Sequence, residues 1–372
     1  MDFDFSEEQY AFRDSVRGFL ADSPAATAVP PGAEEAAALR TGLADLGVFS
    51  AILPEDHEGL GLGFVDLSLI IEEFGRWLVP AAIIETLVAS SVIAAYGSSA
   101  QKKLLFPAIA AGRLALSAAV VEPDATFDPE SMSCILMPEG ASWRLQGKKI
   151  LVVDAAAADF LLVAVKSAAA PTLLLIERNR RGIRLREHTT LDLGSRYHEL
   201  EFDDVLIETT DFLGDPANGE ALGQLLDAGA VSAATLMTGI AGKMLDTALD
   251  YVKQRQQFGK PIGSFQAIKH KCADMAVALE SSRSAAYYAA WTLAGEVSER
   301  SKAVSTAKSF CGDTARFVCN EGTQLHGGMG FTWALGLHLY LRRTKVLEYS
   351  YGDATYHRKR VLAGALRALG VA

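Results

Sequence analysis

Three short stretches hold the side chains best suited to chemistry. In QRQQFGKPIGSFQ, residues 254–266, a helix ends near Arg255 and Phe258, a Gly-Lys-Pro turn follows, and a new helix starts near Gly263. A helix N-terminus beside an arginine makes an anion seat, and a phenyl ring such as Phe258 can flank a planar ring. On spacing alone the same stretch also reads as a helix–turn–helix connector. In QLHGGMGFTWALGLHLYLRR, residues 324–343, Gly327, Gly328 and Gly330 let the backbone approach another group closely after a helix C-terminus. EYSYGDATYHR, residues 348–358, offers Tyr351, Gly352 and Asp353 in a row. It raises the question of whether the chain carries its own proton acceptor, since a base must reach hydrogen-bonding distance of the proton it takes.

Around these stretches the chain has 372 residues, half of them hydrophobic, with a formal net charge of −10. It can bury a large core and suggests two or three domains. The acidic balance argues against nucleic acid, whose phosphates demand a basic stripe. No apolar run approaches ~20 residues, and the acidic opening MDFDFSEEQY lacks a signal-peptide profile. A cytoplasmic protein without a membrane span is therefore expected. Cys134, Cys272, Cys311 and Cys319 show no metal spacing, so buried reduced thiols and no metal are expected.

The elements that would position the three stretches fall into three textures. Residues 1–113 read as a helical domain: Tyr10, Phe12, Val16, Phe19 and Leu20 recur at helical spacing behind an S-x-x-Q capping pattern at Ser6. Residues 114–214 carry short apolar or alternating runs, from ALSAAVV to YHELEFDDVLI, which predict a β-domain without the alternation of a Rossmann sheet. Residues 215–372 return to long helices, with stripes at Met237, Ile240, Met244, Ala248 and Tyr251, and at Ile268, Cys272, Met275 and Leu279. Such stripes are core positions of a bundle.

In this order, the motifs resemble the acyl-CoA dehydrogenase family, from FSEEQYAFRDSVRGFL at the start, through LPEDHEGLGLGFVDLSLIIEEFGR and QKKLLFPAIAAGRLALSAAVVEPDA, to the two C-terminal stretches. The resemblance implies an α+β fold: an N-terminal all-α domain, a middle β-barrel-like domain and a C-terminal four-helix bundle. It implies an FAD shared across a dimer interface and an acyl-CoA thioester as substrate. It further implies α,β-dehydrogenation and an electron-transfer flavoprotein or similar acceptor. The residues matching the partner-side contribution to FAD are Arg255, Phe258, Gln266, Gln324, Gly327 and Gly328.

The flavin side departs from the pattern. VEPDATFD places Val121, Thr126 and Phe127 where the family writes Thr, Gly and Ser. KKILVVD places Ile150 at an aromatic position and Val152 at a hydroxyl position. Counted without gaps, Tyr351 falls on the catalytic Glu and Gly352 on the family glycine, whereas anchoring on the later Thr and Arg puts Asp353 there. Members with the Glu on the first long C-terminal helix would place it at Gly229, with Asp227 about half a turn away. The expectation is therefore a subunit of an α2β2 assembly, like actinobacterial members acting on sterol side-chain thioesters, with the base on a homologous partner. The alternatives are a self-sufficient homotetramer using Asp353, and a non-catalytic FAD- or CoA-binding structural protein.

Overall fold

Ser6 starts the first helix as its spacing predicts: its hydroxyl accepts the Gln9 N–H, and the Gln9 side chain accepts the Ser6 N–H. The computed structural model describes residues 5–23, 32–124, 127–294 and 297–370. Five helices come first: α1 Glu7–Ala21, α2 Ala33–Asp45, α3 Phe64–Arg76, α4 Ala81–Tyr96 and α5 Ser99–Ala110. Seven strands follow: β1 Leu116–Ala119, β2 Ile135–Glu139, β3 Ser142–Val153, β4 Phe160–Lys166, β5 Pro171–Glu177, β6 Ile183–His188 and β7 Tyr197–Ile207. The last five helices are α6 Glu220–Gln254, α7 Gln266–Thr292, α8 Val297–His326, α9 Leu337–Tyr349 and α10 Ala354–Ala368.

The strands form one curled sheet in the order β1-β4-β2-β3-β7-β6, with β5 on the other side of β4. Its inner face holds a core of its own, built on Leu145, Leu161, Val163, Leu174, Leu200 and Phe202. A second, larger core runs without interruption through both helical regions and the other face of β4 and β5. The C-terminal stripes lie in it: Met237, Ile240, Met244, Met275 and Leu279 are all buried. α3 and α6 cross so closely that a Cβ on Gly239 would stand 1.9 Å from the Glu72 carbonyl. All four cysteines are buried free thiols.

α6 is long and apolar enough to cross a membrane by length and composition, but 94% of the qualifying stretch is buried inside the fold. It is the central core helix. α4 is packed on both sides, against β1 and α6, and accordingly its sequence AAIIETLVASSVIAAY is apolar nearly all round, with Glu85 as its one charge. α9 is fastened to the sheet by Arg343, whose Nε lies 2.6 Å from Asp192. The same guanidinium donates to the Val79 carbonyl at 3.0 Å and to Ser195 at 3.2 Å. Sheet, α4 and α9 therefore meet along a fixed seam.

Candidate active site

That seam encloses a cavity of about 500 Å³. Its buried end is made by Glu85, Ala118 and Tyr197, and its rim by the exposed Leu151, Leu191 and Tyr349. Val121, Phe127 and Ile150, which the sequence places beside a flavin, lie on its wall. Val152 does not. A register shift between Lys149 and Val152 in the pairing of β3 with β7 turns Val152 into the sheet core, and Leu151 and Val153 line the cavity instead. Thr126 lies outside the described residues. The two wall segments are pinned together by Glu122 and Lys149, whose charged atoms lie 2.8 Å apart in a buried pair. Burial alone would raise the Glu122 carboxyl, but bonds from Lys149 and Ser133 hold it below its usual range.

The turn from 348 to 353 lines this cavity and is held by three hydrogen bonds from two side chains. The fully enclosed Lys308 ammonium donates to the carbonyls of Glu348 at 3.0 Å and Gly352 at 2.9 Å. His357 Nε2 donates to the Tyr351 carbonyl at 3.0 Å. Tyr351 adopts a left-handed backbone with φ +56°, and Gly352 has φ +108°. A Cβ on Gly352 would lie 2.8 Å from His357 Nε2, so only glycine fits.

Tyr351 bears on both positions that the sequence resemblance would give to a base. Its ring fills the space above Gly229: a Cβ there would stand 2.3–2.5 Å from three ring atoms. The two positions thus converge on one volume, and a phenol occupies it. Burial, reinforced by the neighbouring Glu85, holds the Tyr351 proton well above the usual phenol range, so Tyr351 does not serve as a base. Its hydroxyl donates to Glu85, 2.9 Å from either carboxylate oxygen. Asp353 does line the cavity, but its carboxylate caps α10 by accepting the Tyr356 N–H at 2.7 Å. Asp227 is held by Arg300 and Arg360 at 3.2 and 2.9 Å.

The predicted cofactor anchors gather on another face. α6 ends at Arg255, and α8 ends at His326 with Gly327 next. The two ends are joined by Tyr251 and His326, whose rings lie 4.3 Å apart. Arg255, Phe258, Gln266, Gln324, Gly327 and Gly328 are all exposed there. Phe258 is 89% exposed and held at φ +53° at the tip of the two-residue hairpin, Gln256–Gln257 with Lys260–Pro261. The Arg255 side chain has no ion-pair partner among the described residues, and nothing lies within 4 Å of a Cβ built on Gly327 or Gly328. A free guanidinium, two amides, open backbone and a bare aromatic ring fit a diphosphate joined to a flat heterocycle.

Two family descriptions match the chain, the acyl-CoA dehydrogenase N-terminal domain over residues 6–113 and the acyl-CoA dehydrogenase C-terminal domain over residues 220–366, together well over half its length. The chain belongs to the acyl-CoA dehydrogenase family. FAD is the cofactor that family homologues bind. Glutaryl-CoA dehydrogenase of Desulfococcus multivorans is 30% identical to this chain, covering 100% of it and 99% of the relative. Butyryl-CoA dehydrogenase of Megasphaera elsdenii superposes with a TM-score of 0.89 at 26% identity, over 99% of this chain and all of that one. A variant of the Tcur3481-Tcur3483 steroid ACAD superposes with a TM-score of 0.88 at 28% identity, over 98% and 99% of the two chains.

Glu85 lies outside the motifs by which this acyl-CoA dehydrogenase fold is legible in the sequence. The signal was present nonetheless: one carboxylate in a helix otherwise uncharged over sixteen residues. Such a residue is either paired or functional.

Proposed function

We propose that this chain is a subunit of an FAD-dependent acyl-CoA dehydrogenase, assembled with a homologous partner that supplies the catalytic carboxylate. In the reaction a base takes the Cα proton of an acyl-CoA thioester, and the Cβ hydride leaves, giving the 2-enoyl-CoA. FAD, when bound, would supply the hydride acceptor, with an electron-transfer flavoprotein or similar acceptor taking the electrons onward. Arg255, Phe258, Gln266, Gln324, Gly327 and Gly328 would hold its adenine and diphosphate end from across the interface. The sterol side-chain thioester class is the substrate this reading favours, from the likeness to the steroid enzyme.

The observation that carries this reading is the collapse of both base positions onto Tyr351, whose ring stands where a side chain on residue 229 would begin. Asp353 and Asp227 are each engaged in structural bonds. General base catalysis contributes about 10²–10⁴-fold, so a pocket without it is effectively inactive. The test is purification of the chain alone and with its homologous partner, followed by FAD determination and assay with a panel of acyl-CoAs that includes sterol side-chain thioesters. The expected result is little flavin and no turnover alone, with both restored in the complex. Stoichiometric flavin and turnover by the chain alone would overturn the proposal.

A further inference from the structure

The cavity beside Tyr351 remains open although neither family base position carries an acid. Most of its polar lining side chains are bonded within the protein, and Tyr349 stands at the exposed rim. Thr190 donates to the Asp192 carbonyl at 3.2 Å, Ser350 to the Val346 carbonyl at 3.1 Å, and Tyr197 to the Asp192 carboxylate at 3.0 Å. Lys345 lies 2.9 Å from Glu348, and Asp353 caps α10.

At the other end, Glu85 keeps acceptor capacity to spare. It is 8% exposed, at the buried end of the cavity, and two donors reach it: the Tyr351 hydroxyl, and the Ala118 N–H at 3.3 Å from Oε2. A carboxylate offers about four acceptor sites, and one left unmet in an apolar surrounding is costly. The remaining wall is aliphatic and aromatic: Val120, Val121, Phe127, Ile150 and Leu151. A cavity of this kind fits an apolar body with one hydrogen-bonding group at its inner end.

We propose that this cavity is a ligand site in its own right, taking an apolar molecule that carries a hydroxyl, with that hydroxyl donating to Glu85 beside Tyr351. A hydroxyl suits Glu85 in either protonation state. It donates to the carboxylate, and it accepts from the carboxylic acid, which burial favours up to about pH 7. An ether oxygen can serve only the acid form. A cation would have to be stripped of water to enter an apolar wall. The proposal is independent of the assembly suggested above, because the cavity and Glu85 belong to one chain.

Binding of decan-1-ol, 1-methoxynonane and decylamine to the full-length protein, measured by titration calorimetry, tests it. The first two have the same number of heavy atoms and differ in the O–H donor. Decan-1-ol is expected to bind at least about tenfold more tightly than the ether at pH 8, a ratio within reach of one hydrogen bond to a charged group. The ratio should fall to about one in Glu85→Leu. Should Glu85→Leu fail to fold, the wild-type ratio still decides, since it is expected to shrink as pH falls below about 7. The same preference for 10-hydroxydecanoyl-CoA over decanoyl-CoA would place the hydroxyl on an acyl chain, and its absence there would place it on a free lipid. Equal binding of alcohol and ether at pH 8, a pH-independent ratio, or tighter binding of decylamine would overturn the proposal, whether or not the chain turns over acyl-CoA.

Discussion

Burial moves Glu85 and His357 in opposite directions, although both sit against the Tyr351 turn. Desolvation pushes the Glu85 carboxyl up to about 7, against the opposing bond from Tyr351. It pushes His357 down to about 3, assisted by the nearby charges of Lys308 and Arg360. Glu85 therefore binds its proton more tightly in the folded chain. Its contribution to stability is complete below the ordinary carboxyl range and is lost as pH rises through about 7. His357 contributes in full above its ordinary range near 6.5 and loses that contribution as pH falls toward 3. The two partly cancel in the wild-type curve, so the difference between wild type and Glu85→Gln isolates the carboxyl. Relative to wild type, Glu85→Gln is expected to gain stability between pH 4.5 and 7, at about 1.4 kcal/mol per tenfold change in proton affinity, on the order of 3 kcal/mol in all. Urea denaturation of both proteins at several pH values checks this. A constant difference across that range would mean that Glu85 titrates as it does in water.

At the scale of elements, the short runs between residues 114 and 214 became strands: half-buried ones write a period of two into the sequence, whereas β4 and β5, buried on both faces, read as continuous apolar runs. The Ser6 cap and the bundle stripes were legible for the same local reason. The bulge that turns Val152 inward was not, since it arises from the pairing of β3 with β7 and not from either strand alone. Nor was the meeting of Tyr351 with Gly229, which brings a turn of one segment onto a helix of another. That turn depends on Lys308, which burial lowers to about 8 and which satisfies two carbonyls. Lys308→Met leaves both without a donor, and buried orphans cost about 1–3 kcal/mol each. A loss of roughly 2–5 kcal/mol is expected by thermal or denaturant unfolding, while Lys302→Met, exposed on the same helix, should change stability by less than about 0.5 kcal/mol. Equal effects from the two would show that the turn holds itself.

At the scale of the whole molecule, several large aromatic side chains stay exposed. Phe331 and Trp333 are 76% and 69% exposed, and they follow directly on Gly327 and Gly328. Phe258, beside Arg255 in sequence, is exposed as well. Tyr288 and Trp291, stacked on each other along α7, and Phe310 and Phe317 on α8 are also exposed. Apolar patches of this kind mark association surfaces, and aromatic residues are enriched at the centres of interfaces. If FAD is held between chains, the patch at Phe331 and Trp333 and the anchors must fail together. Exchanging both Phe331 and Trp333 for Ser is therefore expected to lower the assembly mass in sedimentation equilibrium and, in the same preparation, to lower the FAD recovered per chain. Leu362→Ser removes a comparably exposed side chain from α10, remote in sequence from the anchors, and should change neither. Loss of FAD with the assembly mass unchanged would place the cofactor within one chain. Loss of mass with FAD retained would show that the patch joins chains away from the cofactor.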